Sequence, residues 1–282
     1  MPPPFESAPG YGMQGNNLPE PSAVVSLYRS HNIGRMRLYG PDQAALRALR
    51  NSGIQLIMDM PRTERETILF KKRHTGLIKK FIMDGDAQYV LPAMRNLHHA
   101  LESAGLDDRL TVDTGVLGST FLPSNDAFSA DTSSPFLVSF YTYPLHSGNN
   151  SMVSLSYALM NHPAVWIDDT FAYTYPFNSL VDPFYAALKR EGAPQVPVVV
   201  AETGWPSQGV AGPSTENTQT YNQNPIRRIG KGTPARSGEI EVYIYGMFHE
   251  DQKSHESKAK FGLFSPDMQS VYPLGFSWKH ST

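Results

Sequence analysis

The chain has 282 residues, with 24 basic and 26 acidic side chains, a formal net charge of −2 and no cysteine. This length allows one large domain or two small ones, and a hydrophobic content of 40% argues against wholesale disorder. The lack of cysteine excludes disulfides, thiolate metal sites, iron–sulfur clusters and thiol catalysis. The charge balance is atypical of a nucleic-acid-binding protein, and no apolar run is long enough to predict a membrane span.

Both ends of the chain are expected to be tails around a single domain. Residues 1–9 are proline-rich and lack the basic and apolar regions of a signal peptide. The predicted domain covers residues 10–276, and residues 277–282 form a C-terminal tail. The compartment is left unassigned by this pattern.

Short β-type runs alternate with helical patterns, which indicates a parallel sheet. The predicted helices are residues 20–30, a short one capped by Asp42, 87–104, 182–190 starting at Asp182-Pro183, and 215–229. The predicted strands are residues 11–13, 35–39, 54–58, 77–83, 110–112, 136–141, 196–201 and 241–248. Eight strands suit a closed (β/α)8 TIM barrel, and an open doubly wound sheet is the alternative.

Two intervals fit this barrel badly. Residues 61–77 must supply a helix and both of its connections, and residues 116–135 show no helical face where a crossover helix is expected. The barrel is therefore predicted to be incomplete around strand 4 and at the helix between strands 5 and 6.

Polar and aromatic residues follow several of the predicted strands, where a barrel places its active site. Glu202 ends the most apolar strand and is followed by Trp205. A carboxylate beside an aromatic ring suits sugar chemistry, although an exposed strand-end glutamate is the alternative. The other candidates at this rim are Glu250, Asp251, Lys253, Tyr39, Tyr141 and Tyr143. The tyrosines are expected either to stack on sugar rings or to be packing residues.

Other kinds of chemistry have little support. No Gly-x-Gly-x-x-Gly or phosphate-binding loop follows a strand, no Gly-x-Ser-x-Gly elbow is present, and the histidines lack metal-ligand spacing. A hydrolase based on carboxylates is what these exclusions leave, and it requires no metal or cofactor.

Several long motifs, in order, resemble the plant endo-1,3-β-glucanases of glycoside hydrolase family 17. The strongest is Val-Val-Val-Ala-Glu-Thr-Gly-Trp-Pro-Ser at residues 198–207. The others are residues 11–19, 36–41, 45–57, 86–96, 220–224, 232–234 and 261–264. The resemblance implies a (β/α)8 barrel that binds β-1,3-glucan, acts as a monomer and is usually secreted to the cell wall or sent to the vacuole.

The resemblance also implies retaining hydrolysis by two carboxyl groups. Glu202 matches the family's nucleophile, and Glu250 and Lys253 match its supporting carboxylate and lysine. Tyr39 matches a tyrosine of the second strand, while Tyr141, Tyr143 and Trp205 are expected to contact substrate.

The sequence departs from the family pattern at the general acid. The family's acid is the glutamate of a Gly-Asn-Glu turn after strand 4, and this chain contains no Gly-Asn-Glu. Asp84 and Asp86 are the nearest carboxyl groups to that position. Three hypotheses follow: an endo-1,3-β-glucanase with laminarin turnover near background, a glucan-binding protein without catalysis, or a gene product that has lost two segments.

Overall fold

The structure is a computed structural model of the chain. It describes residues 7–40, 42–59, 77–81, 112–117, 135–147, 153–161, 166–167, 172–190, 192–208, 213–228, 232–253 and 260–273.

Eight parallel strands close into a barrel. The barrel strands are β1 (Ser7–Tyr11), β2 (Arg35–Leu38), β3 (Gln55–Asp59), β4 (Leu77–Phe81), β5 (Val112–Leu117), β6 (Phe136–Ser139), β9 (Val198–Thr203) and β10 (Val242–Ile244). Their order around the barrel is β1-β10-β9-β6-β5-β4-β3-β2, with β1 pairing both β2 and β10. A separate antiparallel pair consists of β7 (Trp166–Ile167) and β8 (Ala172–Tyr173). The predicted barrel is thus confirmed, and the open doubly wound sheet is excluded.

Helices occupy several of the connections between these strands. They are α1 (Pro21–Ser30), α2 (Gln43–Leu49), α3 (Tyr143–Ser147), α4 (Leu155–Ala158), α5 (Pro176–Arg190) and α6 (Thr215–Arg228). The predicted cap is confirmed, because an Asp42 carboxylate oxygen accepts a 2.7 Å hydrogen bond from the Ala45 N–H at the start of α2. None of the helices in the described part of the chain has the length and apolar character needed to cross a bilayer.

Three predicted strands were misplaced. The first strand is Ser7–Tyr11 rather than residues 11–13, so the barrel already begins within the predicted tail of residues 1–9. The sequence did not predict this strand at its observed position because it contains Pro9 and Gly10, and both residue types are depleted in strands. The fifth strand is Val112–Leu117 rather than residues 110–112. It contains Asp113 and Gly115, which are also residue types depleted in strands. The last strand is only Val242–Ile244, and Gly246, with φ of +90°, lies just beyond its end.

Helix α5 begins at Pro176, not at the predicted Asp182-Pro183, and Pro183 lies within it. Phe177, Val181, Phe184 and Leu188 form one buried face at helical spacing across the proline. Burial of this continuous face offsets the backbone hydrogen bond that a proline removes. The predicted helix over residues 215–229 is present as α6, but it continues through Pro225, where a break or restart was expected.

Several predictions lie outside the described residues. These are the helix over residues 87–104, the carboxyl groups of Asp84 and Asp86, and most of the two intervals at 61–77 and 116–135. Strand β4 nevertheless pairs with β3 through Ile57 and Leu77 and takes its place in the barrel.

The amino end of the barrel interior contains a buried ion pair. Arg35, the first residue of β2, pairs with Glu241, and both side chains are almost fully enclosed. The hydroxyl of Tyr243 donates a 2.5 Å hydrogen bond to Glu241 Oε1, and burial raises the pKa of Tyr243 well above its usual value. Because a buried charge is costly unless it is paired, removal of either partner would destabilise the barrel.

Candidate active site

The candidate site lies at the carboxyl ends of the barrel strands, and a bulge in β9 orients its central carboxylate. Val138 of β6 pairs with Val200, but the next residue, Ser139, pairs with Glu202, so Ala201 is an extra residue on the β9 side. The register with β10 is also irregular at this level. Bulges re-aim the side chains beside them, and here the re-aimed side chain is that of Glu202.

Both oxygens of Glu202 are held by other side chains. Oε2 accepts a 2.7 Å hydrogen bond from Arg37 Nη1, and Oε1 accepts one from the hydroxyl of Tyr141. Burial, followed by the nearby charge of Glu202, raises the pKa of Tyr141 well above its usual value, so its phenol stays a neutral donor at neutral pH. The Glu202 side chain is 12% exposed, so its carboxylate is oriented and still partly open to solvent.

A second carboxylate, Glu250, is held more tightly. It is 3% exposed, pairs with Lys253, and accepts a 2.8 Å hydrogen bond from the Gln14 N–H in the loop after β1. Gly12 in the same loop approaches so closely that a Cβ there would lie 2.4 Å from Oε1 of Glu250. Glu250 therefore joins the loop after β1 to the one after β10.

Neighbouring residues extend this connection into a seam between the two loops. The Asn16 N–H donates a 2.9 Å hydrogen bond to Asp251 Oδ1. Gln252 donates its backbone N–H to Gln14 O at 3.0 Å and its side-chain amide to Asn16 Oδ1 at 2.6 Å. Asp251, predicted as a rim carboxylate, thus acts here as a loop acceptor.

Tyr245, directly after β10, links the two carboxylates. Its hydroxyl accepts a hydrogen bond from Lys253, whose ammonium also lies 4.2 Å from the Tyr245 ring centroid. The Tyr245 ring packs edge-on against Tyr39 at 5.9 Å and Tyr141 at 6.1 Å between centroids. Phe261 packs against both Tyr141 and Tyr245. The structure therefore brings Glu202, Glu250, Lys253 and Tyr39 into one contact network.

The predicted aromatic contacts differ in exposure. Tyr39, Tyr141 and Tyr143 are half-buried, which leaves part of each side chain open to solvent. Trp205, in contrast, is 0% exposed and packs against Tyr143 and Tyr221 at 5.1 and 5.5 Å between ring centroids. Its indole has no exposed face that a sugar could contact, contrary to the predicted substrate contact. Instead, the buried indole packs against Tyr143 and supports that ring.

Three residues of the network were missed from the sequence. Arg37 lies in a strand whose four residues are all buried. An arginine in a predicted buried strand could have been identified by its charge, because a buried arginine needs a partner. Tyr245 follows the end of β10 as Tyr39 follows that of β2, and Phe261 lies within a motif that was recognised without being assigned a role.

No group of His, Asp and Glu side chains with the arrangement of a metal site occurs in the described ranges. The general-acid candidates Asp84 and Asp86 lie outside those ranges.

A sequence profile of glycosyl hydrolases family 17 matches residues 8–77 and 70–276. A glucan endo-1,3-β-glucosidase of Pisum sativum is 38% identical over 309 residues, covering 94% of this chain and 84% of that protein. The acidic isoform of the same enzyme from Zea mays is 40% identical over 302 residues, covering 95% and 90%. Both alignments are longer than the 282 residues of this chain, so each relative contains segments that this chain lacks.

The fold is shared with solved structures at similar identity. A β-1,3-glucanase and allergen of Cryptomeria japonica pollen superposes with a TM-score of 0.87 at 35% identity, covering 96% of this chain and 99% of that one. The family profile is divided at residues 70–77, immediately before and at the start of β4. The two matched segments therefore meet just before the strand after which the resemblance leads us to expect a Gly-Asn-Glu turn.

Proposed function

This chain belongs to glycosyl hydrolase family 17, and from that premise we propose that it is a retaining β-1,3-glucan hydrolase, acting as a monomer, with Glu202 as its nucleophile. The observation that supports this most is the state of the Glu202 carboxylate. It lies at the carboxyl end of β9, is partly exposed, and is oriented through both oxygens by Arg37 and Tyr141. A retaining glycosidase needs such a carboxylate to attack the anomeric carbon and form a covalent glycosyl-enzyme.

The proton donor is the weak part of this machinery. In a retaining enzyme it lies about 5–5.5 Å from the nucleophile and protonates the leaving oxygen. Glu250 is a poor donor, because its oxygens are engaged by Lys253 and the Gln14 N–H. Asp84 and Asp86 are the remaining candidates after β4. Loss of a positioned acid costs about 10²–10⁴-fold, so we expect laminarin hydrolysis near background.

The half-buried tyrosines supply the sugar-binding surface. Tyr39 and Tyr141 flank Glu202 and Lys253, and their hydroxyl-bearing rings combine an apolar face with a polar tip, which suits a sugar ring. Tyr143 extends the surface along α3, where buried Trp205 supports it. Glu250 and Lys253 act as holding groups for this surface.

Glucan binding without hydrolysis is the second candidate function. The missing Gly-Asn-Glu turn removes the acid, while the aromatic network beside Glu202 is present. A protein of this kind binds laminari-oligosaccharides and releases no reducing sugar. A chain damaged by two lost segments instead fails to bind and unfolds without cooperativity.

The test measures binding and turnover together. Wild type, Glu202→Gln and a control, Glu216→Gln on the exposed start of α6, are titrated with laminarihexaose by calorimetry and assayed for reducing-sugar release from laminarin. Slow turnover that Glu202→Gln abolishes and Glu216→Gln preserves supports the hydrolase. Binding without reducing-sugar release above the buffer background, in wild type and in both variants, supports the binding protein. Absence of binding, together with a broad melting transition, contradicts both.

A further inference from the structure

Gly10 lies on the inner face of the barrel, at the level of the candidate site. It belongs to β1 and pairs with Arg37 of β2, so the two residues face the same side of the sheet. The Arg37 side chain reaches Glu202, which places that side in the barrel interior. Gly10 is buried, and its φ lies outside the left-handed region. The backbone conformation therefore does not itself require a glycine, and the requirement comes from the space around it.

The Tyr39 side chain fills the space over Gly10. A Cβ on Gly10 would overlap the Tyr39 hydroxyl oxygen and would lie 3.0 Å from the ring atoms Cε2 and Cζ. Gly204, which is also beside the site, is less crowded, because a Cβ there would keep 3.3 Å from its nearest neighbours in Tyr245 and Phe261. Gly10 thus leaves no room for even the smallest side chain while Tyr39 holds its present position.

Both partners of this close approach are held in place. On one side of β1, Gly10 is paired with β2, and on the other its carbonyl oxygen accepts a 2.7 Å hydrogen bond from the Met247 N–H. The Tyr39 ring lies 4.4 Å from the guanidinium carbon of Arg37 and packs edge-on against Tyr245 at 5.9 Å between centroids. Because ladder pairing fixes the strand more firmly than ring contacts fix a side chain, a larger residue at position 10 displaces Tyr39 rather than β1.

We propose that Gly10 is a positioning residue of the sugar-binding surface. By lacking a side chain it provides the space in which the Tyr39 hydroxyl lies, and it thereby sets how far the Tyr39 ring extends from the barrel wall toward a bound sugar. The half-buried Tyr39 ring lies 6.0 Å from the Lys253 ammonium, so its displacement alters the surface beside the Glu250–Lys253 pair. This inference rests on the proposed function, in which Tyr39 contacts the glucan.

The experiment combines substitutions at the two positions. Wild type, Gly10→Ala, Tyr39→Phe and Gly10→Ala/Tyr39→Phe are titrated with laminarihexaose by calorimetry, and their urea midpoints are measured. The control is Gly53→Ala, at an exposed position between α2 and β3. Gly53 has φ of +79°, and no atom of the described residues beyond its chain neighbours lies within 4 Å of its Cβ position. An alanine there strains the backbone without meeting another side chain.

The expected result separates lost position from lost stability. Gly10→Ala should weaken laminarihexaose binding about tenfold, the effect of losing one well-made hydrogen bond, and should lower the urea midpoint. In the Tyr39→Phe background the same substitution should weaken binding less than about threefold, because the hydroxyl that meets the new methyl group is absent. Gly53→Ala should lower the urea midpoint and leave affinity unchanged. Equal weakening by Gly10→Ala in both backgrounds, or none in the wild-type background, overturns the proposal.

A second measurement needs no ligand. The Tyr39 ring resonances are followed by ¹H–¹³C NMR of protein labelled in its tyrosine rings and are assigned by their loss in Tyr39→Phe. They should shift in Gly10→Ala, because the ring leaves its edge-on contact with Tyr245, and they should stay in place in Gly53→Ala. If wild type does not bind laminarihexaose, the proposed function fails, and these resonances still test the position of Tyr39. Unshifted resonances in Gly10→Ala overturn the proposal.

A further variant covers the case in which Gly10→Ala does not fold. Gly10→Ala/Tyr39→Ala should then fold, as judged by a cooperative urea transition, because the obstructing side chain is gone. If this double variant fails to fold while Tyr39→Ala alone folds, the space over Gly10 is not required for Tyr39, and the proposal is overturned.

Discussion

The ammonium of Lys253 donates a hydrogen bond to the hydroxyl oxygen of Tyr245. Burial, followed by the charges of Glu202 and Glu250, raises the pKa of Tyr245 well above its usual value, so this hydroxyl stays protonated at neutral pH. A neutral phenol thus lies between the two carboxylates of the site. It accepts from the lysine that holds Glu250, and its ring packs against the tyrosine that holds Glu202.

Removal of this hydroxyl is expected to weaken the site more than the fold. Tyr245→Phe keeps the ring contacts with Tyr39 and Tyr141 but leaves Lys253 with one acceptor fewer. The unfolding free energy should fall by about 1 kcal/mol, the usual contribution of one hydrogen bond. Laminarihexaose affinity should fall about tenfold, because Lys253 and Glu250 lose their fixed geometry. Calorimetry measures the change in affinity, and urea titration measures the change in unfolding free energy.

Tyr272→Phe is the matched control for this change. Its hydroxyl is buried and accepts a 2.7 Å hydrogen bond from Asn222, away from the site. The stability loss should be similar, and ligand affinity should not change. An equal loss of affinity in both variants contradicts a specific role for Tyr245.

The close approach of Gly12 to Glu250 gives a second prediction. In Gly12→Ala the new methyl group meets the Glu250 carboxylate, which Gln14 and Lys253 hold in place. Overpacking of this kind costs about 1–3 kcal/mol. A double-mutant cycle with Glu250→Ala tests the cause by urea denaturation: the alanine at position 12 should cost much less once the carboxylate is absent. Additive costs would place the strain elsewhere.

The barrel could be predicted because several of its strands, such as β3, β6 and β9, contain apolar runs, and helical patterns separate most of the strands in the sequence. The errors arose where tertiary packing overrides local preference, as at Pro9 in β1 and Pro183 in α5. Glu202 was identified because it is a charged residue directly after a run of apolar strand residues. Arg37 was missed because its role depends on a carboxylate 165 residues away along the chain, and no local pattern reports which strands face each other across a barrel.

His249 gives the fold a pH dependence that can be isolated. Burial, followed by the charge of Lys260, lowers the pKa of His249 to about 4, and its Nδ1 accepts a 3.1 Å hydrogen bond from the Gly262 N–H. The unfolded imidazole titrates near 6.5, so the unfolded state binds more protons between about pH 6.5 and 4. This contribution to stability is therefore complete above that window and is lost as the pH falls through it.

The substitution His249→Asn removes this titration and keeps a side-chain acceptor for Gly262. Urea midpoints of wild type and variant, measured between pH 7 and 4.5, should diverge as the pH falls, with wild type losing more stability. Since all other groups titrate in both proteins, the difference reports His249 alone. Parallel pH profiles would show that His249 titrates alike in the folded and unfolded chains.

The cap of α2 provides a prediction confined to stability. Asp42→Ala removes the acceptor of the Ala45 N–H and should lower the unfolding free energy by about 1 kcal/mol, whereas Asp42→Asn should retain most of it. Thermal unfolding compares the two variants. Ligand affinity should be unchanged in both, because α2 contributes no residue to the contact network around Glu202.

Azide provides the sharpest test of a nucleophile that acts without an efficient acid. With 2,4-dinitrophenyl β-laminaribioside the leaving group needs no proton, so Glu202 should form the glycosyl-enzyme in a rapid burst of dinitrophenolate. Water then reacts slowly, because no positioned base activates it, and the intermediate accumulates. Azide needs no base, so it should raise the steady-state rate in proportion to its concentration, and the product should be the β-glycosyl azide, identified by NMR.

The configuration of that product excludes the alternatives. A β-azide from a β-glycoside requires two inversions and therefore a covalent intermediate, which Glu202→Gln should prevent from forming. An α-azide would mean direct displacement at the anomeric carbon, with no role for Glu202 as nucleophile. A fast steady state that azide does not accelerate would instead show that an efficient acid/base group is present despite the missing Gly-Asn-Glu, and Asp84→Asn and Asp86→Asn would then identify it by restoring azide dependence.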